Sequence, residues 1–473
     1  MKRLLQALTA TAGLTTGAMY GLRKVKENRP LDFSRARPEE LVFPAGFRFG
    51  AATAAHQVEG GTVNNQWTAW ESVTRSDGRP GIFTGENAGL AADHWNRFDQ
   101  DLKLMQDLGI DTYRFSLEWS RIEPSEGVFD DEALDRYRSW CMKLRAAGIE
   151  PMVTLHHFTD PLWLTEKGGF ENRASVDAFG RFVEHVVPRL ADVVDWWVTV
   201  NEPSVYTLMG WVIGEFPPGK NDPKMAVRVM QNMLLAHARA YHLIHELDTV
   251  DADGDGIPCK AGIAKNLVPF EPRQWYNPLD ALGTEILDRF YNLAPLEAIH
   301  TGRLKLSVPG QAHLDVVHPE LKGTMDYIGL NHYFRQLVRV NPLNPKNALE
   351  NGFDDVSMKS DMGWDLRPQS LYDALLMLKP YGVPIYITEN GTADGDTPDA
   401  RRRQFLLDCL YAAHQAIEDG INLRGYLYWS LLDNFEWAHG FSARFGLYRV
   451  DYATQERTLT AGGGLFQQII AQQ

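Results

Sequence analysis

Short runs of β-branched and aromatic residues recur along this chain, each separated from the next by a stretch with helical spacing. Eight such runs read as strands: 47–53, 111–116, 151–155, 193–200, 261–264, 326–330, 385–388 and 423–430. Helical patterns cover 99–108, 132–147, 175–190, 225–246, 280–291, 371–379 and 403–418, with Pro188 expected to end or kink the third. Strands that alternate with helices make a parallel sheet, and eight units close it. The expected fold is therefore α/β: a single (β/α)8 TIM barrel with elaborated βα loops. A chain of 473 residues is long enough for that barrel and its loops.

Two of these strands end in an acid. Val198-Thr199-Val200-Asn201-Glu202-Pro203 runs from a β-branched stretch into a glutamate, and Pro203 stops the strand there. Ile385-Tyr386-Ile387-Thr388-Glu389-Asn390-Gly391 does the same before a turn. In a closed parallel barrel the carboxyl ends of all strands meet at one mouth. Two carboxyl groups facing each other there are what cleavage of a glycosidic bond needs. One protonates the leaving oxygen; the other attacks, or activates water.

Composition removes competing classes. With 61 acidic against 47 basic residues the formal charge is −14, which disfavours a nucleic-acid partner. Cys141, Cys259 and Cys409 are far apart and odd in number, so they make neither a disulfide framework nor a metal set. Asp251-Ala252-Asp253-Gly254-Asp255-Gly256 imitates the start of a calcium loop. The bidentate acid such a loop needs at its twelfth position is replaced by Gly262, so a polar surface turn is expected. No cofactor and no metal are implied.

The chain divides into residues 1–40 and a catalytic barrel over 41–473. Lys2 and Arg3 precede Leu4 to Leu22, which carries no charge, and Arg23, Lys24 and Lys26 follow. Residues 4–22 read as a signal peptide, a membrane anchor or a surface helix, and so leave cytoplasmic, membrane-associated and secreted locations open. Residues 27–40 are polar, contain Pro30 and Pro38, and read as a linker.

From about Phe43 to Ala471 the chain resembles glycoside hydrolase family 1, the β-glucosidase and β-galactosidase barrels. Several motifs carry the likeness. Val200-Asn201-Glu202-Pro203 resembles the family's acid/base motif, and Ile387-Thr388-Glu389-Asn390-Gly391 its nucleophile motif. Phe49 to Gly60 resembles the opening strand, with Gln57 as a sugar-hydroxyl ligand; His56 stands where a Tyr is usual, read as a packing change. Tyr113-Arg114-Phe115-Ser116 would set Arg114 beside Glu389. In Asn331-His332-Tyr333, Tyr333 would donate to the nucleophile and Asn331 would line the same subsite. His157 in Leu155-His156-His157-Phe158-Thr159-Asp160 matches a sugar-binding histidine. The Trp and Asp usual after it are replaced, and Asp160 is displaced by one place. Asn201 would bind the sugar 2-hydroxyl. In Tyr428-Trp429-Ser430-Leu431-Leu432-Asp433-Asn434-Phe435-Glu436-Trp437, Trp429 would floor the sugar, an ionised Glu436 would accept from two hydroxyls, and Trp437 would join the wall. Phe445 would pack near the 6-hydroxyl.

The resemblance implies a retaining β-glycosidase that removes terminal β-glucosyl units, with galactosyl and fucosyl units as further candidates. A second reading is transfer of a galactosyl or glucosyl unit to a sugar or lipid acceptor at a membrane. A third is a non-catalytic sugar-binding barrel; such relatives typically lose one glutamate, and both are present here. The partner is a small-molecule or oligosaccharide β-glycoside, and the family allows a homo-oligomer.

Overall fold

A computed structural model describes residues 29–75, 77–308, 312–343 and 349–473. The apolar segment 4–22 lies outside the described residues. Among those described, no helix is long and apolar enough to cross a membrane.

The eight expected strands all form. They are β1 (Arg48–Ala52), β2 (Thr112–Ser116), β3 (Glu150–His156), β4 (Trp196–Asn201), β5 (Lys260–Asn266), β6 (Tyr327–Asn331), β7 (Ile385–Asn390) and β8 (Leu423–Trp429). Each pairs in parallel with its neighbours in chain order, and β1 pairs with β8, which closes the barrel. The barrel interior is packed by large side chains from successive strands: Met152, Trp196, Val198, Tyr327, Tyr386 and Leu427. Trp196 meets Tyr386 edge-on at 4.9 Å between ring centres. This plug fills the barrel below the strand ends and leaves only the carboxyl mouth for a ligand.

Outside the strands, aliphatic faces of the helices cover the sheet. Helix Ala174–Leu190 buries Val176, Phe179, Phe182, Val183, Val186, Val187 and Leu190, a pattern of helical period. Pro188 lies inside this helix, which ends two residues later at Leu190. Residues 29–40 form two short 3₁₀ turns, at Phe33–Arg35 and Pro38–Glu40. They lie against the helices Gln369–Leu378 and Ala400–Glu418, where Phe33 meets Tyr411 at 5.8 Å and the Leu31 amide donates to Gln369.

The calcium-like stretch is a turn held by its own backbone. Asp251 accepts from the amides of Gly254, Asp255 and Gly256, and Lys260 sits 2.7 Å from Asp255. Carboxylate oxygens of Asp251, Asp253 and Asp255 lie within 4.8 Å of one another.

Candidate active site

Both strand-end glutamates reach one cavity of about 580 Å³ at the barrel mouth. Each is placed by its backbone. Glu202 follows β4 with a left-handed φ of 46°, which a β-carbon makes costly. Its amide donates to the Ala264 carbonyl at 2.8 Å, and its own carbonyl accepts the Tyr206 amide, so it also opens helix Pro203–Leu208. Pro203 at the first helical position costs nothing there, because that amide has no helical partner. Glu389 lies within β7, and its carbonyl accepts the His332 amide at 2.9 Å. The chain then passes so close to β8 that a β-carbon on Gly391 would stand 2.0 Å from the Trp429 carbonyl oxygen. Only glycine fits two residues after the glutamate.

The two carboxylates are held unequally. Arg114 donates to Glu389 at 2.6 Å from one amino group, and to Asn201 at 2.7 Å from the other. Tyr333 donates its hydroxyl to the second Glu389 oxygen, also at 2.6 Å. Among the described residues, Glu202 receives only the Asn331 amide, at 2.8 Å. Burial pushes both carboxyl groups upward, but Arg114 and Tyr333 oppose this at Glu389. At Glu202 burial and then the neighbouring Glu389 charge drive the pKa up to about 8. At neutral pH the arrangement therefore favours one proton on Glu202 and charge on Glu389, the division that an acid and a nucleophile need.

The other expected residues fall into two layers. His157, Tyr333, Trp429, Glu436, Trp437 and Phe445 line the cavity with the two glutamates. Gln57, Arg114, Asn201 and Asn331 stand behind and fix them. Gln57 donates to Glu436 at 3.3 Å and to Asn434 at 3.0 Å. The Asn201 amide donates to His157 Nε2 at 3.0 Å, so the ring proton lies on Nδ1. Burial, and then Arg114, hold His157 well below its ordinary pKa, hence neutral. Among the described residues, His157 Nδ1 and Gln57 Oε1 are buried without a partner, one donor and one acceptor. Asn331 bridges Asn201 and Glu202 while accepting from Thr388 at 2.7 Å.

Two expectations need refinement. Glu436 was expected ionised, but burial and then the Glu389 charge raise it to about 8, so the neutral acid prevails in the free site near neutrality. Asp160, displaced by one place in sequence, does not line the cavity. It accepts from Tyr206 and pairs with His156 at 2.8 Å. The vacated wall position is taken by Phe158, at φ 67°, packed on Trp437 at 5.2 Å. His56 does pack: it stacks on Trp437 at 6.0 Å and sits 3.4 Å from Glu71.

Lys265 was missed. It is fully buried in β5, with its ammonium bonded to the Asn266 carbonyl and lying 4.6 Å over the Tyr291 ring. Burial lowers its pKa to about 7, and the nearby Glu202 charge resists that shift. A lone lysine in the apolar run Gly262-Ile263-Ala264-Lys265-Asn266 is the signal that would have found it.

A family model for glycosyl hydrolase family 1 matches residues 39–473. The chain belongs to glycosyl hydrolase family 1. It is 36% identical to Beta-glucosidase A of Acetivibrio thermocellus, over 91% of this chain and 98% of that one. Among solved structures it resembles a beta-glycosidase from Pyrococcus horikoshii, with 38% identity, a TM-score of 0.81, and 91% and 95% of the two chains covered. It also resembles a beta-glucosidase from Thermotoga maritima in complex with glucoimidazole, with 31% identity, a TM-score of 0.82, and 91% and 99% covered. The family 1 chain described here is thus a glycoside hydrolase of the β-glucosidase type, built on the family's barrel.

Proposed function

We propose that residues 41–473 form one catalytic unit that hydrolyses terminal β-glucosides with retention, using Glu389 as nucleophile and Glu202 as acid and then base. The observation that supports this most is the unequal hold on two buried carboxyl groups in one cavity. Glu389 has a cation and a phenol; Glu202 has one amide.

The steps balance. A Glu389 oxygen attacks the anomeric carbon as its bond to the leaving oxygen breaks, and Glu202 gives its proton to that oxygen. The product is an ester between sugar and Glu389. Ester formation removes the charge that raised Glu202, so the now ionised Glu202 becomes a base. It takes a proton from water, the water oxygen bonds to the anomeric carbon, and the ester bond breaks. Arg114 and Tyr333 keep Glu389 charged before the first step and receive it as a leaving carboxylate in the second.

In this reading the glucosyl ring lies on Trp429, with Trp437 and Phe445 on the wall. Glu436, Gln57 and His157 meet its hydroxyls. Asn201, held between Arg114 and His157, faces the 2-hydroxyl side. Hydroxyl donors arriving at Glu436 would lower its pKa and favour the anion that binds them. The relatives carry the names of hydrolysing enzymes, and no observation favours transfer to an acceptor or attachment to a membrane. Proton NMR of methyl β-glucoside hydrolysis tests the reading. β-Glucose must appear first. Initial α-glucose would require a wider carboxyl separation with water between, and would overturn it.

A further inference from the structure

Strand β5 carries a lysine where its pattern calls for an apolar residue. Successive side chains of a strand face opposite sides of the sheet. Ala264 packs in the barrel plug and Asn266 lines the cavity, while Ala261 and Ile263 belong to the core shared with the helices. By the same alternation Lys265 faces the helices, and it is fully buried there. Its ammonium donates to the Asn266 carbonyl and lies 4.6 Å from the centre of the Tyr291 ring. One carbonyl and one ring face are little compensation for a buried charge. Packing gives no reason for the lysine, since an aliphatic side chain would fill the place without that cost.

Its surroundings tie it to the acid. Ala264, next to Lys265, accepts the Glu202 amide at 2.8 Å. Ser204, two residues after Glu202, donates its hydroxyl to the Tyr291 carbonyl at 3.1 Å. The Tyr291 hydroxyl donates to the Asn266 side chain at 2.7 Å. Lys265, Tyr291 and Glu202 are thus fixed on one another, with the ammonium behind the cavity wall. Among the described residues Glu202 is the charged group that acts on Lys265. In turn Lys265 and Arg114 oppose the upward push of burial and of Glu389 on Glu202. Tyr291, raised well above the ordinary phenol pKa by burial, stays neutral.

The two steps of the reaction ask opposite things of Glu202. Ester formation needs its proton, and a nearby cation works against that proton. Ester hydrolysis needs its charge, at a stage when Glu389 is a neutral ester. We propose that Lys265 is a positioning residue for the second step: its ammonium stabilises ionised Glu202 in the glycosyl-enzyme, so that hydrolysis of the ester depends on Lys265 and its formation does not. No proton passes through Lys265. Glu202 takes one from water as the water oxygen bonds to the anomeric carbon. The bond from that carbon to the Glu389 oxygen breaks, and Arg114 receives the freed carboxylate. Burial lowers the lysine pKa to about 7 and the Glu202 charge raises it, so the ammonium is best held in the state that uses it.

The proposal rests on the roles given to Glu389 and Glu202, and the test separates the two. Each half of the reaction is read alone. kcat/KM for methyl β-glucoside reports ester formation. Enzyme trapped with a 2-deoxy-2-fluoro-β-glucoside and freed of excess reagent recovers activity only as the ester hydrolyses, and that rate is followed across pH. In Lys265→Met, whose side chain fills the space without charge, recovery on the acid side should be about tenfold slower, and its acid limb should move up by about one pH unit. kcat/KM for methyl β-glucoside below neutrality should stay within about threefold of the native enzyme. Lys265→Gln should match Lys265→Met, and Lys265→Arg, which keeps the charge, should recover part of the shift. An acid limb unmoved in both uncharged variants, an equal loss in both half-reactions at every pH, or a full shift in Lys265→Arg would overturn the proposal. So would failure of both uncharged variants to fold, which would assign the lysine to the fold instead. If the native enzyme is not trapped or cleaves no glucoside, the functional reading falls, and this proposal with it.

Discussion

The two ends of the cavity are made from different parts of the fold. At the sugar end the polar groups stand at strand ends or in the loops that follow them, and hydrogen bonds across the barrel mouth tie several of them together. Arg114 of β2 spans Glu389 of β7 and Asn201 of β4; Asn331 of β6 spans Asn201 and Glu202. At the far end much of the wall is apolar and comes from helices that follow β4 and β5, with few hydrogen bonds, such as Tyr291 to Asn266 at 2.7 Å. The difference teaches what each part can vary. Displacing one sugar-end group orphans a buried partner, which costs about 3–5 kcal/mol when that partner is a charge. A far-end side chain can change with the loss of only its own contacts.

The largest expected break is at Glu389. Glu389→Gln should retain the fold by circular dichroism and lose at least about 10⁴-fold in kcat. A loss below about tenfold would move the nucleophile elsewhere. Glu202→Gln comes next: about 10²- to 10⁴-fold on methyl β-glucoside, whose leaving group needs a proton, and much less on a nitrophenyl glucoside in the burst phase. Equal slowing of both would remove Glu202 from the acid role.

Glu436→Gln sharpens the contrast by removing a binding group and sparing the chemistry. A hydrogen bond to a charged partner is worth about 1.5–3 kcal/mol, so kcat/KM for glucosides should fall roughly 10- to 100-fold. The smallest effect is one of pH. Glu202 acts while protonated, and its pKa is raised to about 8, so kcat/KM is expected to hold through neutrality and fall as pH rises through about 8. The acid limb belongs to protonation of Glu389, whose rise through burial is checked by Arg114 and Tyr333. The limbs describe the coupled pair. In Glu202→Gln the alkaline limb should vanish; its persistence would assign that limb to another group.

The sugar end was also the legible end. β-Branched runs announce strands, and an acid followed by Pro203 or Gly391 announces a strand end, so eight strands and both glutamates can be read from local pattern. The far end offers no such pattern. The π-turns at Met209–Ile213 and Asp288–Leu293 have no local sequence signature, and the second overlaps the end of what reads as one helix over 280–291. The same limit hides helix Ala461–Ile470 behind Gly462, Gly463 and Gly464. Three glycines argue against a helix on propensity. A β-carbon on Gly463 would stand 2.6 Å from the Leu447 carbonyl, so close packing dictates the glycine there and overrides propensity. The hairpin Arg303–Val308 with Ala312–Val317 alternates buried and exposed residues, but it sits in a connection where a barrel reading expects only loop. At His157-Phe158-Thr159-Asp160 the pattern located the wall, and only the structure showed that Asp160 belongs to His156 and Tyr206.

The central claim is that Glu389, charged beside Arg114 and Tyr333, bonds to the anomeric carbon while Glu202 keeps the proton. It is tested most directly by incubating the enzyme with a 2-deoxy-2-fluoro-β-glucoside bearing a good leaving group. Fluorine slows both steps and the leaving group restores the first, so the intermediate accumulates. The account predicts stoichiometric inactivation, a mass increase of one fluoroglucosyl unit, and a label that maps to Glu389 after proteolysis. A label on Glu202 or on any other residue, or slow turnover with no covalent species, would contradict it.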